Sequence, residues 1–122
     1  MMDKRDIVRY VVGYPVSLRG ELVDGGGVVI DVSPGGCRIR TAEAVQVGTY
    51  LRLILHPASD TEVIKAELAF VRWLQGDEIG VEFVRVNPEQ REKLRHLLYL
   101  LRLGAGGRYG AATAKPPAAV RR

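Results

Sequence analysis

From Tyr14 to Phe83, apolar and polar residues mostly change places at every step, and the period lengthens only after Asn87. Alternation at period two marks a strand with one buried face, and a repeat near 3.6 marks a helix. Tyr14, Val16 and Leu18 alternate with Pro15, Ser17 and Arg19 in a first strand, where a proline near the start is tolerated. Val28, Ile30 and Val32 take one face of a second strand, with Val29, Asp31 and Ser33 on the other. Cys37, Ile39 and Thr41 alternate with Arg38 and Arg40 in a third. Leu51, Leu53 and Leu55 point inward from a fourth, between Tyr50, Arg52 and Ile54. The long fifth strand, Val63 to Trp73, puts Ile64, Ala66, Leu68 and Phe70 on one face and Lys65, Glu67, Ala69, Val71 and Trp73 on the other. Ile79, Val81 and Phe83 alternate with Gly80 and Glu82 in a sixth. Turn signals separate these runs at Asp24-Gly25-Gly26-Gly27, Pro34-Gly35-Gly36, Gly48, His56 to Asp60 and Gln75-Gly76-Asp77. Six short strands with regular turns predict an all-β fold, an antiparallel sheet closed into a six-stranded barrel.

The end of the chain reads differently. Asn87-Pro88-Glu89 combines an N-cap residue, a proline at the first helical position and an acid in the first turn. Leu94, Leu97, Leu98 and Leu101 then form one stripe, so a C-terminal helix is expected to pack on the barrel and end before Gly104. Residues 14–103 thus make the barrel plus helix, and residues 1–13 an N-terminal arm. Residues 104–122 are mostly Gly, Ala, Pro and basic residues with little to bury, which predicts a disordered basic tail. There is no internal repeat.

Composition narrows the class. The 122 residues, 47% hydrophobic and 26% charged, fit one globular domain. The apolar runs are far too short to span a membrane, and Met1 to Arg5 is unlike a signal peptide, so we expect no membrane insertion. The single cysteine, Cys37, makes no internal disulfide. It faces the expected core as an inert thiol, in agreement with a reducing, cytoplasmic setting. The net charge of +4 comes from the tail, where Arg108, Lys115, Arg121 and Arg122 stand without an acid. The rest of the chain is neutral, which disfavours nucleic acid as a partner.

The search for catalytic chemistry is mostly negative. Asp24-Gly25-Gly26-Gly27 has neither Walker spacing nor a following helix, and Ser33 lies in D-V-S-P-G, not in a G-x-S-x-G elbow. His56 and His96, the only histidines, have no metal-ligand spacing to Cys37 or to a carboxylate cluster. The residues favour a binding module over an enzyme, with no metal and no cofactor. Two sets of polar residues remain. Arg5-x-x-x-Arg9 puts two arginines on one face of a helical turn, or up to ~13 Å apart in an extended arm. It also reads as an ordinary solvated basic terminus. Asp31 and Ser33 lead into a glycine-bounded turn. They read as a binding rim, or as a hairpin whose turn is capped by side chains that bond nearby backbone.

Taken together, Arg5-x-x-x-Arg9 in an arm, Asp31-x-Ser33-x-x-Gly36 at a strand end, four further strands and a helix resemble the PilZ domain family, bacterial receptors for the second messenger cyclic di-GMP. The resemblance covers roughly residues 4–103. Gly36-Cys37-Arg38-Ile39-Arg40, Val71-Arg72-Trp73 and Gly80-Val81-Glu82-Phe83 also look like the family, whereas Lys4-Arg5 stands where many members carry an Arg doublet. The resemblance implies a six-stranded barrel whose arm closes over the ligand. The implied ligand-binding residues are Arg5, Arg9, Asp31, Ser33 and Gly36, with Lys4, Arg38, Arg40 and Trp73 as possible auxiliaries. Their chemistry is suitable. Arginine can fork onto phosphate oxygens or onto guanine O6 and N7, and can stack on a base. Asp31 offers acceptors for guanine N1–H and its exocyclic amine, Ser33 a hydroxyl, and Gly36 a turn conformation or a close approach. The implied function is a receptor that changes conformation on binding and signals to an unidentified protein partner. The alternative is a PilZ-like protein–protein adaptor that binds no nucleotide.

Overall fold

The computed structural model describes residues 8–57 and 62–104. Its order is β1 (Tyr10–Arg19), β2 (Asp24–Ser33), β3 (Gly36–Thr41), β4 (Tyr50–Leu55), β5 (Ile64–Gln75), β6 (Glu78–Arg85) and α1 (Pro88–Arg102). The strands close into an antiparallel barrel in the order β1-β2-β3-β6-β5-β4, with β4 pairing back onto β1. Closure joins the two ends of the sheet, with Val16 to Arg19 of β1 paired to Arg52 to Leu55 of β4. The core is aliphatic: Leu18, Val29, Val32, Cys37, Ile39, Leu53, Ala69, Val71 and Ile79 are fully buried. Leu51, Leu53 and Leu55 point inward as their alternation requires.

Three features depart from simple alternation. β1 begins at Tyr10, inside the segment expected to be an arm, and Tyr10 pairs with Val32. In β2 the register shifts between Val29 and Asp31. The extra residue, Ile30, lets both Val29 and Val32 reach the core, opposite Ile39 and Cys37, while Val28 lies opposite Arg40. The expected face of Val28, Ile30 and Val32 is therefore corrected by a β-bulge, which reverses the phase of the strand. β5 has a similar shift, so its inward set changes from Ile64 and Ala66 to Ala69 and Val71. Leu68 and Phe70, expected on one face with Ile64 and Ala66, are only partly buried. Phe70 instead packs against Tyr50 with ring centres 5.1 Å apart, and Arg72 lies 5.6 Å over its ring.

The helix forms where its signals fall. Asn87 Oδ1 accepts from the Gln90 backbone N–H at 3.0 Å, and Pro88 occupies the first turn, where its missing N–H costs nothing. Leu94, Leu97 and Leu101 are buried and Leu98 packs partly against the core. α1 rests on β5 and β1. Gln90 is buried because its side-chain oxygen accepts the Lys65 backbone N–H at 2.7 Å. The helix ends at Arg102 and is capped by Leu103, with Gly104 in the left-handed region at φ 90°.

Burial also makes Tyr14 contribute to a loss of stability at alkaline pH. It pushes the Tyr14 phenol from an ordinary value of 10.0 up to about 12, since the phenolate there would lack water. Below about pH 10 the phenol is protonated in both states and its contribution to stability is constant. Between about 10 and 12 the unfolded chain ionises first, so stability falls. Denaturant melts at about pH 9 and pH 11 are expected to show that loss, and Tyr14→Phe to reduce it. An identical loss in Tyr14→Phe would assign the slope to other groups.

Candidate functional site

The β2 bulge builds the site. It turns Asp31 and Ser33 outward at the end of β2, and the pairing of Tyr10 with Val32 and of Val11 with Asp31 brings the start of β1 alongside. Arg9, one residue before β1, then lies over both. Its Nε and Nη2 are each 3.0 Å from Asp31 Oδ1, and its Nη1 donates to Ser33 Oγ at 3.3 Å. Ser33 Oγ donates in turn to the Gly36 carbonyl at 3.3 Å.

The other carboxylate oxygen, Asp31 Oδ2, faces Arg38 Nε at 3.3 Å, and Arg38 Nε also lies 3.7 Å from Glu78 Oε1. Glu78 Oε2 accepts from Arg40 Nη2 at 2.9 Å, and Arg40 Nε lies 3.7 Å from Asp77. Opposite charges thus alternate from Arg9 to Asp77 along the outer face of β2, β3 and β6. Asp31 is the most enclosed member, with its side chain 11% exposed against 46% for Arg9 and 38% for Arg38. A carboxylate that deep needs its cations, because ion burial without a partner is costly. Arg38 Nε is buried and close to two carboxylates, yet its geometry makes no hydrogen bond. A buried donor in that condition is a weak point of the network.

The outward row continues across the barrel. Asp31 pairs with Arg38, Arg38 with Gly80, and Gly80 with Trp73. Neighbouring strands lie about 4.8 Å apart, so Trp73 is three strand spacings from Asp31. Its half-exposed indole covers Gly80 so closely that a Cβ there would meet the ring. Gly36 is glycine for a similar reason. A Cβ would collide with the Val81 carbonyl oxygen of β6. Gly36 is not among the positive-φ glycines, which are Gly48, Gly76 and Gly104. The close approach expected of Gly36 is therefore to the barrel's own backbone, and no special turn conformation is involved.

The structure brings Arg9, Asp31, Ser33 and Gly36 together, with Arg38 beside them. Arg40 is drawn one step away, to Glu78 and Asp77. Lys4 and Arg5 lie outside the described residues, as does the segment 105–122. Two neighbours of the site escaped sequence reading. Glu78 is visible only once the register sets it opposite Arg40. Arg91 of α1 donates through Nη1 to the Pro34 carbonyl at 3.0 Å, a contact between residues too far apart for any periodicity to join. Cys37 lies behind the site, fully buried. Burial, then the nearby Asp31 carboxylate, pushes its thiol far above the ordinary range, with Arg9 opposing. Among the described residues no three of His, Cys, Asp and Glu gather as metal ligands, and no helix is long and apolar enough to cross a membrane. The cluster sets partly exposed fork donors over a buried carboxylate acceptor and a buried hydroxyl. It suits recognition of an anion joined to a flat polar ring.

The chain belongs to the PilZ domain family, whose model matches residues 3–100. A comparison with curated proteins gives no match. Among solved structures it is similar to the inhibitor of motility (MotI/DgrA) of Bacillus subtilis, at 20% identity and a TM-score of 0.71 over 84% of this chain and 53% of that one. It is also similar to YcgR of Escherichia coli in complex with c-di-GMP, at 16% identity and a TM-score of 0.69 over 85% and 48% of the two chains. A third is the PilZ domain of CeSA from a cellulose-synthesizing bacterium, at 17% identity and a TM-score of 0.63, covering 78% of this chain and 98% of that one. The chain spans about half the length of the first two. The closed six-stranded barrel with one C-terminal helix is the fold these proteins share.

Proposed function

We propose that this domain is a receptor for cyclic di-GMP, bound between the N-terminal arm and the Asp31–Gly36 rim. The observation that carries the reading is the meeting of Arg9, Asp31 and Ser33 at one point, although they are 22 and 24 residues apart in sequence. Membership in the family and the likeness to YcgR, solved with that ligand, support it. In this reading the guanine N1–H and amine donate to Asp31 and displace Arg9 from Oδ1. Arg9, released from its internal partner, turns its fork to a phosphate or to the base edge. Arg5 contributes a second fork, Ser33 a hydroxyl, and Arg38 and Trp73 flank the base along the outward row. Lys4 adds positive charge at the margin, whereas Arg40 acts only through the Glu78 carboxylate it shares with Arg38. No bond is made or broken. The exchange of partners alters the surface around the arm, and a protein partner reads the altered surface.

Calorimetric titration with cyclic di-GMP, GTP and single-stranded DNA tests this. Saturation by cyclic di-GMP alone is expected, with affinity falling as salt screens the phosphates. A protein that shows no saturation with cyclic di-GMP is not a receptor for it, and a barrel acting through protein contacts alone becomes the better account.

A further inference from the structure

Most of the charges around the site cancel one another. Asp31 stands against Arg9 and Arg38, and Glu78 and Asp77 against Arg40. Arg91 is different. Among the described residues it pairs with no carboxylate, and its partner is the neutral Pro34 carbonyl. That carbonyl belongs to the turn that begins at Ser33, the residue to which Arg9 donates. Two guanidinium groups therefore hold neighbouring residues of one turn. Arg9 is neutralised by Asp31, whereas Arg91 keeps its full charge.

The position of Arg91 is also fixed. It lies in the first turns of α1, whose start is set by the Asn87 cap and by the Gln90 contact to β5. The exposed bond to Pro34 ties the half-buried side chain to the turn, so part of the rotamer freedom it would lose on meeting a ligand is already spent. A guanidinium carries five N–H donors and a carbonyl uses only one or two. The remainder stay available beside the rim.

We propose that Arg91 is a further ligand-binding residue, which donates to a phosphate of the dinucleotide from the helix side of the site. The inference rests on the receptor reading above and deepens it. Arg9 supplies one cation to a ligand with two phosphates. The rim offers that ligand an acid and a hydroxyl. Arg91 supplies a second cation from α1, bonded to the residue that follows Ser33 and, among the described residues, paired with no carboxylate.

The test is calorimetry on the full chain with Arg91→Gln and Arg91→Lys, at low and high salt, alongside thermal melts without ligand. Arg91→Gln keeps an amide donor for Pro34 and removes the charge. It is expected to weaken cyclic di-GMP binding by about tenfold, the factor of a charge-assisted hydrogen bond at the weak end of its range. Its affinity should also depend less steeply on salt, while its melting stays close to that of the parent. Arg91→Lys is expected to bind between the two, with the parent's salt dependence, because it keeps the charge without the fork. If Arg91→Gln binds as tightly as the parent with the same salt dependence, Arg91 is only a tether between helix and turn. Should Arg91→Gln fail to fold, parent-like affinity in Arg91→Lys at both salt levels overturns the inference just as well. A parent that fails to bind cyclic di-GMP at all brings down the receptor reading and this inference together, which separates the two failures.

Discussion

Replacing Arg9 by alanine is expected to weaken cyclic di-GMP binding by about 1.5–3 kcal/mol, roughly ten- to a hundredfold, the range of a hydrogen bond to a charged group. Arg9 has two competing descriptions, and the same variant separates them. In the first it is a ligand contact that waits on Asp31 and Ser33 until the dinucleotide arrives. In the second it is a structural clamp that fixes the start of β1 to the end of β2. A clamp would show its loss in the melt. Truncating it would leave the Asp31 carboxylate to Arg38 alone, in a setting only 11% exposed. Binding would then hold steady, or even improve, because the guanine would no longer compete with Arg9 for Oδ1. A ligand contact would show the reverse, with a large loss of affinity and a small loss of stability, since Arg9 itself is nearly half exposed. Arg9→Lys refines the result. It restores charge without the fork that spans Asp31 and Ser33, so it should recover only part of the affinity. Calorimetry and a thermal melt on the same samples decide the matter. Unchanged binding with a lowered melting temperature would leave Arg9 outside the ligand site.

The same cluster shows what the sequence could and could not convey. The barrel was readable because β3 and β4 keep a period of two throughout and the other strands keep it over the stretches between their register shifts. Leu51, Leu53 and Leu55 have no other way to reach one core, and Asn87-Pro88 has few readings besides a helix start. The errors lie where one extra residue enters a strand. A bulge leaves composition untouched and reverses every side chain beyond it. Alternation alone therefore set Val29 on the face opposite Val32, and Leu68 and Phe70 on one face with Ile64 and Ala66, where the shifted register separates them. The bulge that defeated the pattern is also the one that turns Asp31 and Ser33 toward Arg9. The site was legible only through motif spacing, which fixes residue types at intervals and needs no knowledge of register. Arg38 and Arg40 look equivalent by alternation, yet the register sets one beside Asp31 and the other between Glu78 and Asp77. Arg91 carries no local signal at all, because its partner lies in a turn on the far side of four strands in sequence.

Gly36→Ala is expected to be the most damaging single-methyl change in the motif, and to act on the fold before it acts on the ligand. The added Cβ would strike the Val81 carbonyl oxygen, with Val81 C and Glu82 Cα both 3.2 Å away. All three are backbone atoms of β6, held by pairing to both β3 and β5, so none can rotate aside. Forcing a methyl into such a space costs about 1–3 kcal/mol, and each kcal/mol lowers the melting temperature by about 4–8 °C in a domain of this size. Two neighbours grade the argument. At Gly80 the obstacle is the Trp73 indole, a half-exposed side chain that can swing away, so Gly80→Ala should cost less and mainly reposition Trp73. At Gly35 a Cβ would meet nothing within 4 Å, so Gly35→Ala should melt like the parent, although it lies in the same turn. If this order of melting temperatures holds, the glycine that closes the Asp-x-Ser-x-x-Gly motif is there to bring β3 against β6, and the rim stands because the barrel closes tightly behind it. If Gly36→Ala melts like the parent and yet fails to bind, the space it fills belongs to the ligand, and the packing account of Gly36 is wrong.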